Sequence, residues 1–197
     1  MMPLTFNGTT VTAVTFNGTA LTALVCNGTT VWGAAAAPVV GAAYGGGICA
    51  YLLVSGDPGY SSSTPHGLIV ASADLDAIAY WSNVILIAVT GTSANFGTGL
   101  ANTTKIMAQS GHTASAAKIC RNYNGGGYSD WYLPSSDELD KLYNNCTAIG
   151  VLDPLGNYWT STENNAVNAL VYAFSEGMAF ADKKNSDYPM VRAVRSF

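Results

Sequence analysis

Residues 125–139 read GGGYSDWYLPSSDEL, and residues 158–163 read YWTSTE. The first stretch sets a glycine turn, an aromatic strand, a proline break and a helix start in close succession. Ser135 and Glu138 have capping-box spacing: the serine hydroxyl takes the amide three residues on, and the glutamate reaches back to the N-cap amide. Leu139, Leu142 and Tyr143 then share the buried face of the predicted helix. The second stretch is an aromatic pair leading into hydroxyl residues and one carboxylate. Neither holds a nucleophile–base pair or a cluster of metal ligands. Both read as architecture, so chemistry is expected in the loops they support.

The surrounding chain is mixed. Ile48 to Val54 reads as an apolar strand after the glycines at 45–47, and HGLIVASADL (66–75) as a second short strand. The glycine run lacks a following GK[ST] or GxGxxG pattern, so a phosphate loop is not expected. VILIAV (84–89) reads as a buried apolar run. Leu100, Thr103/Thr104 and Met107 fit one face of a helix within 98–110. Thr113 is a candidate N-cap for a helix carrying Ala116, Ala117, Ile119 and Cys120, stopped by Asn124-Gly-Gly-Gly. Strands are expected at 169–175, 177–182 and 189–197. The reading is an α+β domain with two or three helices, a strand-rich C-terminal part and long loops.

The first residues repeat. LTFNGTTVTA, VTFNGTALTA and LVCNGTTVW place Asn-Gly at 7–8, 17–18 and 27–28. Asn-Gly is the favoured pair for a two-residue hairpin turn, because both central positions need positive φ. The spacing predicts strands of about eight residues in a small antiparallel meander. Such a meander is too small to bury a core alone and needs a partner. The organisation expected is a β-repeat region at 1–32, a small-residue linker at 33–43 and a main domain at 44–197.

Composition bounds the function. Charged residues make up 10% of the 197, and the net charge is −4, against about 25% charged in ordinary globular domains. The basic residues form no stripe, which argues against nucleic-acid binding. The first formal charge is Asp57. A long uncharged segment is consistent with a surface covered by other chains. No apolar run approaches the ~18 residues of a membrane helix, and no basic leader precedes an apolar stretch. Cys26, Cys49, Cys120 and Cys146 show no metal-type spacing; a Cys120–Cys146 bridge stays open.

Taken in order, GGGI (45–48), HGLI (66–69), GTGLANT (97–103), AAKIC (116–120), GGYSDWYLPSSDEL (126–139), YWTSTE (158–163) and VRAVRSF (191–197) resemble one family. It is the domain named for the C-terminal domain of the Legionella collagen-like adhesin. That family is similar to the C-type-lectin-like fold of phage tropism determinants and formylglycine-generating enzymes. The N-terminal repeats resemble those of phage and prophage tail proteins. The resemblance implies a C-type-lectin-like fold, a binding role without catalysis or cofactor, and a homotrimer. It also implies attachment to other tail or virion proteins through the repeats. The implied location is the virion tail, or alternatively a cell surface, with a bacterial surface glycan or protein as ligand and no membrane insertion.

Recognition residues are expected in the loops beside the last strands, ENNAVN (163–168) and DKKNSDYP (182–189). Asn, Ser and Tyr there suit adaptable contacts. The candidates are Asn164, Asn165, Asn168, Lys183, Lys184, Asn185 and Tyr188. Trp131 and Trp159 lie in scaffold motifs and read as core rather than sugar platforms. Glu163 lacks the Glu-Pro-Asn loop and partner acids of a lectin calcium site, and a hard cation needs six or more oxygens, so no metal is expected. The formylglycine-type enzymes use a cysteine pair close in sequence, which Cys120 and Cys146 do not match. His66 and His112 show no evident Ser or Cys partner. A virion decoration protein without ligand binding is the alternative reading, and an oxidase-like enzyme the less favoured one.

Overall fold

A computed structural model describes residues 37–75 and 79–197 in full and, before residue 37, only the backbone of six strands. The chain divides into two compact units, Met1–Ala37 and Pro38–Phe197.

In the first unit, β1 (Thr5–Phe6) pairs with β2 (Thr9–Thr10), β3 (Val14–Phe16) with β4 (Thr19–Leu21), and β5 (Ala23–Cys26) with β6 (Thr29–Gly33), all antiparallel. Phe6↔Thr9, Phe16↔Thr19 and Cys26↔Thr29 each bracket an Asn-Gly pair. The Asn-Gly pairs themselves lie outside the described residues. Among the described residues the strands form three separate ladders, not one meander of eight-residue strands. A hairpin across a two-residue loop closes at little entropic cost.

The second unit has two antiparallel sheets. One runs β10 (Asn157–Glu163), β11 (Asn168–Ala173), β12 (Met178–Lys183). The other has the order β13–β9–β8–β7, from β13 (Val194–Ser196), β9 (Gly67–Val70), β8 (Gly47–Leu52) and β7 (Ala43–Tyr44). The helices are α1 (Gly99–Met107), α2 (Ala116–Asn122), α3 (Ser136–Asn144) and the single turn α4 (Cys146–Ile149). This is the α+β architecture expected, with four helices where two or three were predicted. The late strand β13 lies beside the early β9, so the beginning and end of the unit share one sheet. Two arginines reinforce that closure. Arg192 is buried and donates to Asp74 Oδ1 (2.8 Å), Ala71 O (2.8 Å) and Val151 O (2.7 Å). Arg195 forms a two-pronged pair with Asp130 (2.7 and 2.8 Å) and stacks on Tyr128.

Both opening motifs are scaffold. Ser135 Oγ accepts from Glu138 N, and Glu138 Oε2 accepts from Ser135 N at 2.8 Å, the reciprocal box. Leu139 and Leu142 are fully buried, each worth roughly 2 kcal/mol of transfer free energy. Trp131 and Trp159 are fully buried, and their Nε1 groups donate to Gly125 O and Ala79 O. The expected aromatic strand at 128–132 reduces to one bridge, Tyr132↔Val194. The glycine runs also find a use. Gly126 has φ +63°, and a Cβ there would lie 2.2 Å from Gly46 Cα. The two runs pack backbone to backbone, which only glycine permits.

Three local expectations change. Helix α2 is capped by Ser115, whose hydroxyl accepts from Lys118 N, not by Thr113. Helix α1 buries Gly99, Asn102, Thr103 and Ile106 and exposes Leu100. Its buried face is partly polar, since Asn102 bonds Ser93 and Ser161 and Thr103 bonds Leu133, so apolar periodicity misplaced it. The run VILIAV is a surface loop, with Leu86 72% and Ile87 61% exposed and only Val84 and Val89 buried. Cys49, Cys120 and Cys146 are free, so the Cys120–Cys146 bridge is absent.

Candidate functional site

The turn after β10 and the segment after β12 meet at one end of the sheet. Strand register pairs Asn168 with Lys183, and Lys184 N donates to Val167 O at 3.0 Å. The turn closes on itself. Asn164 N and Asn165 N both donate to Asn168 O, while Asn165 Oδ1 accepts from Val167 N and Asn168 N, each at 2.9 Å. Asn165 is thus spent on turn geometry, as an Asx turn requires. Asn164, Asn165, Lys183 and Asn185 are exposed, Asn168 is half-buried, and Tyr188 is 48% exposed. Burial and the Asp182 carboxylate push the Tyr188 phenol up to about 12.

Lys184 departs from the expected surface role, being fully buried. Its Nζ lies 2.5 Å from Glu163 Oε1, donates to Ile87 O at 3.1 Å, and sits 5.0 Å from the Trp81 ring centre. An ammonium can be buried only when paired and hydrogen-bonded, and these three partners supply that. Glu163 is nearly buried too, and its Oε1 also accepts from Val89 N at 2.8 Å. Glu163 N donates to Thr92 Oγ1 at 3.1 Å.

The result is a third loop brought beside the two expected ones. Residues 84–92 are tied down at Ile87, Val89 and Thr92 by one buried ion pair and its backbone. Gln109 Nε2 adds a second donor to Ile87 O, and Lys105 Nζ donates to Gly91 O. Trp81 belongs to the same seat: its N donates to Lys184 O and its Nε1 to Thr160 O at 2.7 Å. The loop's tip, Leu86 and Ile87, stays in solvent. What the arrangement offers is a surface with an apolar tip, side-chain amides and the exposed Lys183. Sequence reading missed Trp81, Leu86, Ile87 and the pairing role of Glu163. An unbroken apolar run cannot by itself be told from a buried segment.

Other groups with chemical potential are occupied. His112 Nε2 lies 2.8 Å from Ser115 Oγ, a partner not evident from sequence, but that hydroxyl also accepts Lys118 N as the cap of α2. Burial, with help from Lys118, holds the His112 imidazole below its usual value. Burial raises the thiols of Cys120 and Cys146, which keeps them protonated and weakly nucleophilic. Among the described residues, no three His, Cys, Asp or Glu side chains gather as a metal site, and no helix is long and apolar enough to cross a membrane.

The model of the family described as the Lcl C-terminal domain matches residues 71–195, more than half of the chain. That span contains the loop cluster and both opening motifs. No curated protein matches the chain.

Proposed function

The chain belongs to the Lcl C-terminal domain family, an adhesin-like family, and from that premise we propose that it is a receptor-binding protein of a phage or prophage tail, recognising a ligand on the bacterial surface. The observation that carries this is the loop cluster. A buried Lys184–Glu163 pair seats residues 84–92 against the 163–168 turn while Leu86, Ile87, Asn164, Asn185 and Tyr188 remain exposed. Rigid loops on a scaffold are the usual carriers of recognition, and rigidity limits the ordering entropy lost on binding.

Contacts fall to Asn164, Lys183, Asn185 and Tyr188, joined by the apolar tip. Lys184, Asn165 and Asn168 act by holding the loops in place. The uncharged N-terminal hairpins attach the protein to other virion components and support a homotrimer. The repeats and the tail resemblance motivate this part.

Adsorption of labelled protein to host cells tests the reading. Combined substitution of Asn164, Lys183 and Asn185 by alanine, and separately Ile87→Ser, should each reduce adsorption while leaving the fold intact. Unchanged adsorption in both would refute the loop assignment. Incorporation into particles with no affinity for cells would favour a virion decoration protein, the reading to which the charge-free first 56 residues also point. Sedimentation of the full chain as a monomer would remove the trimer.

A further inference from the structure

The loop that carries Leu86 and Ile87 is tied to a second exposed turn, residues 109–114, between α1 and α2. Asn83, at the start of the loop, makes the join. Its Nδ2 donates to Gly111 O at 2.9 Å, and its Oδ1 accepts from Thr113 N (2.9 Å) and Ala114 N (3.0 Å). Asn83 N donates to Ala114 O at 3.0 Å, and Ser82 forms an antiparallel bridge with Ser115. From the other end of the turn, Gln109 Nε2 reaches Ile87 O. The apolar tip and the turn are thus held in one frame.

The turn itself is fixed through its backbone. His112 N donates to Gln109 O at 3.0 Å, and Lys118 Nζ donates to Thr113 O at 2.8 Å. Gly111 takes φ +79°, with open space where a Cβ would stand, a conformation that glycine adopts without strain. None of these bonds uses the hydroxyl of Ser110 or Thr113. Thr113 is also released from capping, since Ser115 caps α2. Ser110, Gly111, Thr113 and Ala114 are exposed. The contrast is with Asn165, whose side chain is consumed by its own turn. Two hydroxyls on a backbone-held turn can be exchanged for other side chains without altering the turn, and little of the turn's freedom is left to lose on binding.

We infer that the 109–114 turn belongs to the receptor-contacting surface and that Ser110 and Thr113 are specificity-determining residues on it. The inference rests on the receptor-binding reading and adds a fourth segment to the three gathered there. Leu86 and Ile87 supply apolar contact, which has no direction. A hydroxyl donates and accepts along defined directions, so the pair selects among ligands that fit the apolar tip equally well. A larger side chain at either position excludes a ligand by clash, the other half of specificity.

The test titrates labelled full-length chain onto whole host cells and reads the half-saturating concentration. The alanine pair Ser110→Ala/Thr113→Ala removes only the hydroxyls and should weaken adsorption about three- to tenfold, the net worth of one or two hydrogen bonds. The tyrosine pair Ser110→Tyr/Thr113→Tyr adds bulk and should weaken it at least about tenfold. Both should unfold within about 2 °C of the native chain, as expected of surface positions. Ser62→Tyr, exposed on the loop between β8 and β9, should adsorb normally. Native-like adsorption of either pair, or an equal loss in Ser62→Tyr, would overturn the inference; if the tyrosine pair does not fold, the alanine pair decides alone. Loss in the Asn164, Lys183 and Asn185 alanine set with native behaviour of both pairs would overturn this inference and leave the loop cluster standing. Native adsorption in every variant, Ile87→Ser included, would remove the loop cluster as well.

Discussion

Replacing Lys184 by methionine isolates the buried ion pair. The stem volume is nearly kept, so little cavity forms, and the change is mainly electrostatic. Glu163 would lose the 2.5 Å partner of its Oε1 and keep Val89 N. Ile87 O would keep Gln109 Nε2. Removing one member of a buried pair costs about 3–5 kcal/mol, because the other charge stays buried without compensation. Exposed pairs are worth only about 0–1 kcal/mol. For a chain of this size ~4 kcal/mol corresponds to a fall in Tm of roughly 8–16 °C. The double variant Lys184→Met/Glu163→Gln removes both charges and should recover at least ~2 kcal/mol of the loss, a coupling that a double-mutant cycle reads directly. Urea unfolding gives the free energies, and hydrogen exchange at Val89 N gives the local effect, since that amide donates to the orphaned carboxylate. A single-variant cost under ~1 kcal/mol, or a double variant equal to the sum of the singles, would refute the argument that this pair is desolvated and seats the loop.

Further outcomes follow from other groups. Burial raises the Glu138 carboxyl to about 7 against the donors that favour its ionised form, so the folded state holds that proton more tightly than the unfolded chain. Its contribution is fully present below about pH 4.5 and declines as pH rises to about 7. The wild type should lose up to ~3 kcal/mol over that window relative to Glu138→Gln, measured by unfolding midpoints at both ends. Gly126→Ala should cost at least ~2 kcal/mol, from the positive φ and the clash with Gly46, with urea unfolding as the check. Ser135→Ala should cost about 1 kcal/mol through the lost capping box, read by the same unfolding assay. Leu86→Asp should change stability by under ~0.5 kcal/mol, since Leu86 is 72% exposed, yet lower adsorption to cells.

What could be read from the sequence was what is determined within a few residues. The Ser135–Glu138 box, the buried Leu139 and Leu142 and the hairpins around Asn-Gly all depend on spacings of two to four, where backbone geometry decides. The main strands of the second unit were legible for a related reason, since their apolar runs match strand length and are bounded by turn residues. The face of α1 was not, because its buried positions include Asn102 and Thr103, made tolerable by partners in other elements. The loop 84–92 failed in the opposite sense: an apolar run implies burial, and nothing local says that burial is withheld.

The candidate site divides along the same line. Sequence alone placed the polar segments 163–168 and 182–189 beside the last strands and named Asn165 as a contact residue, whereas its side chain holds the turn together. Only the tertiary structure turned Lys184 inward, 97 residues from the carbonyl of Ile87 and 21 from Glu163. A lysine in a polar segment is solvated unless the fold supplies a carboxylate, a carbonyl and an aromatic face together, and that convergence exists only once the chain has closed.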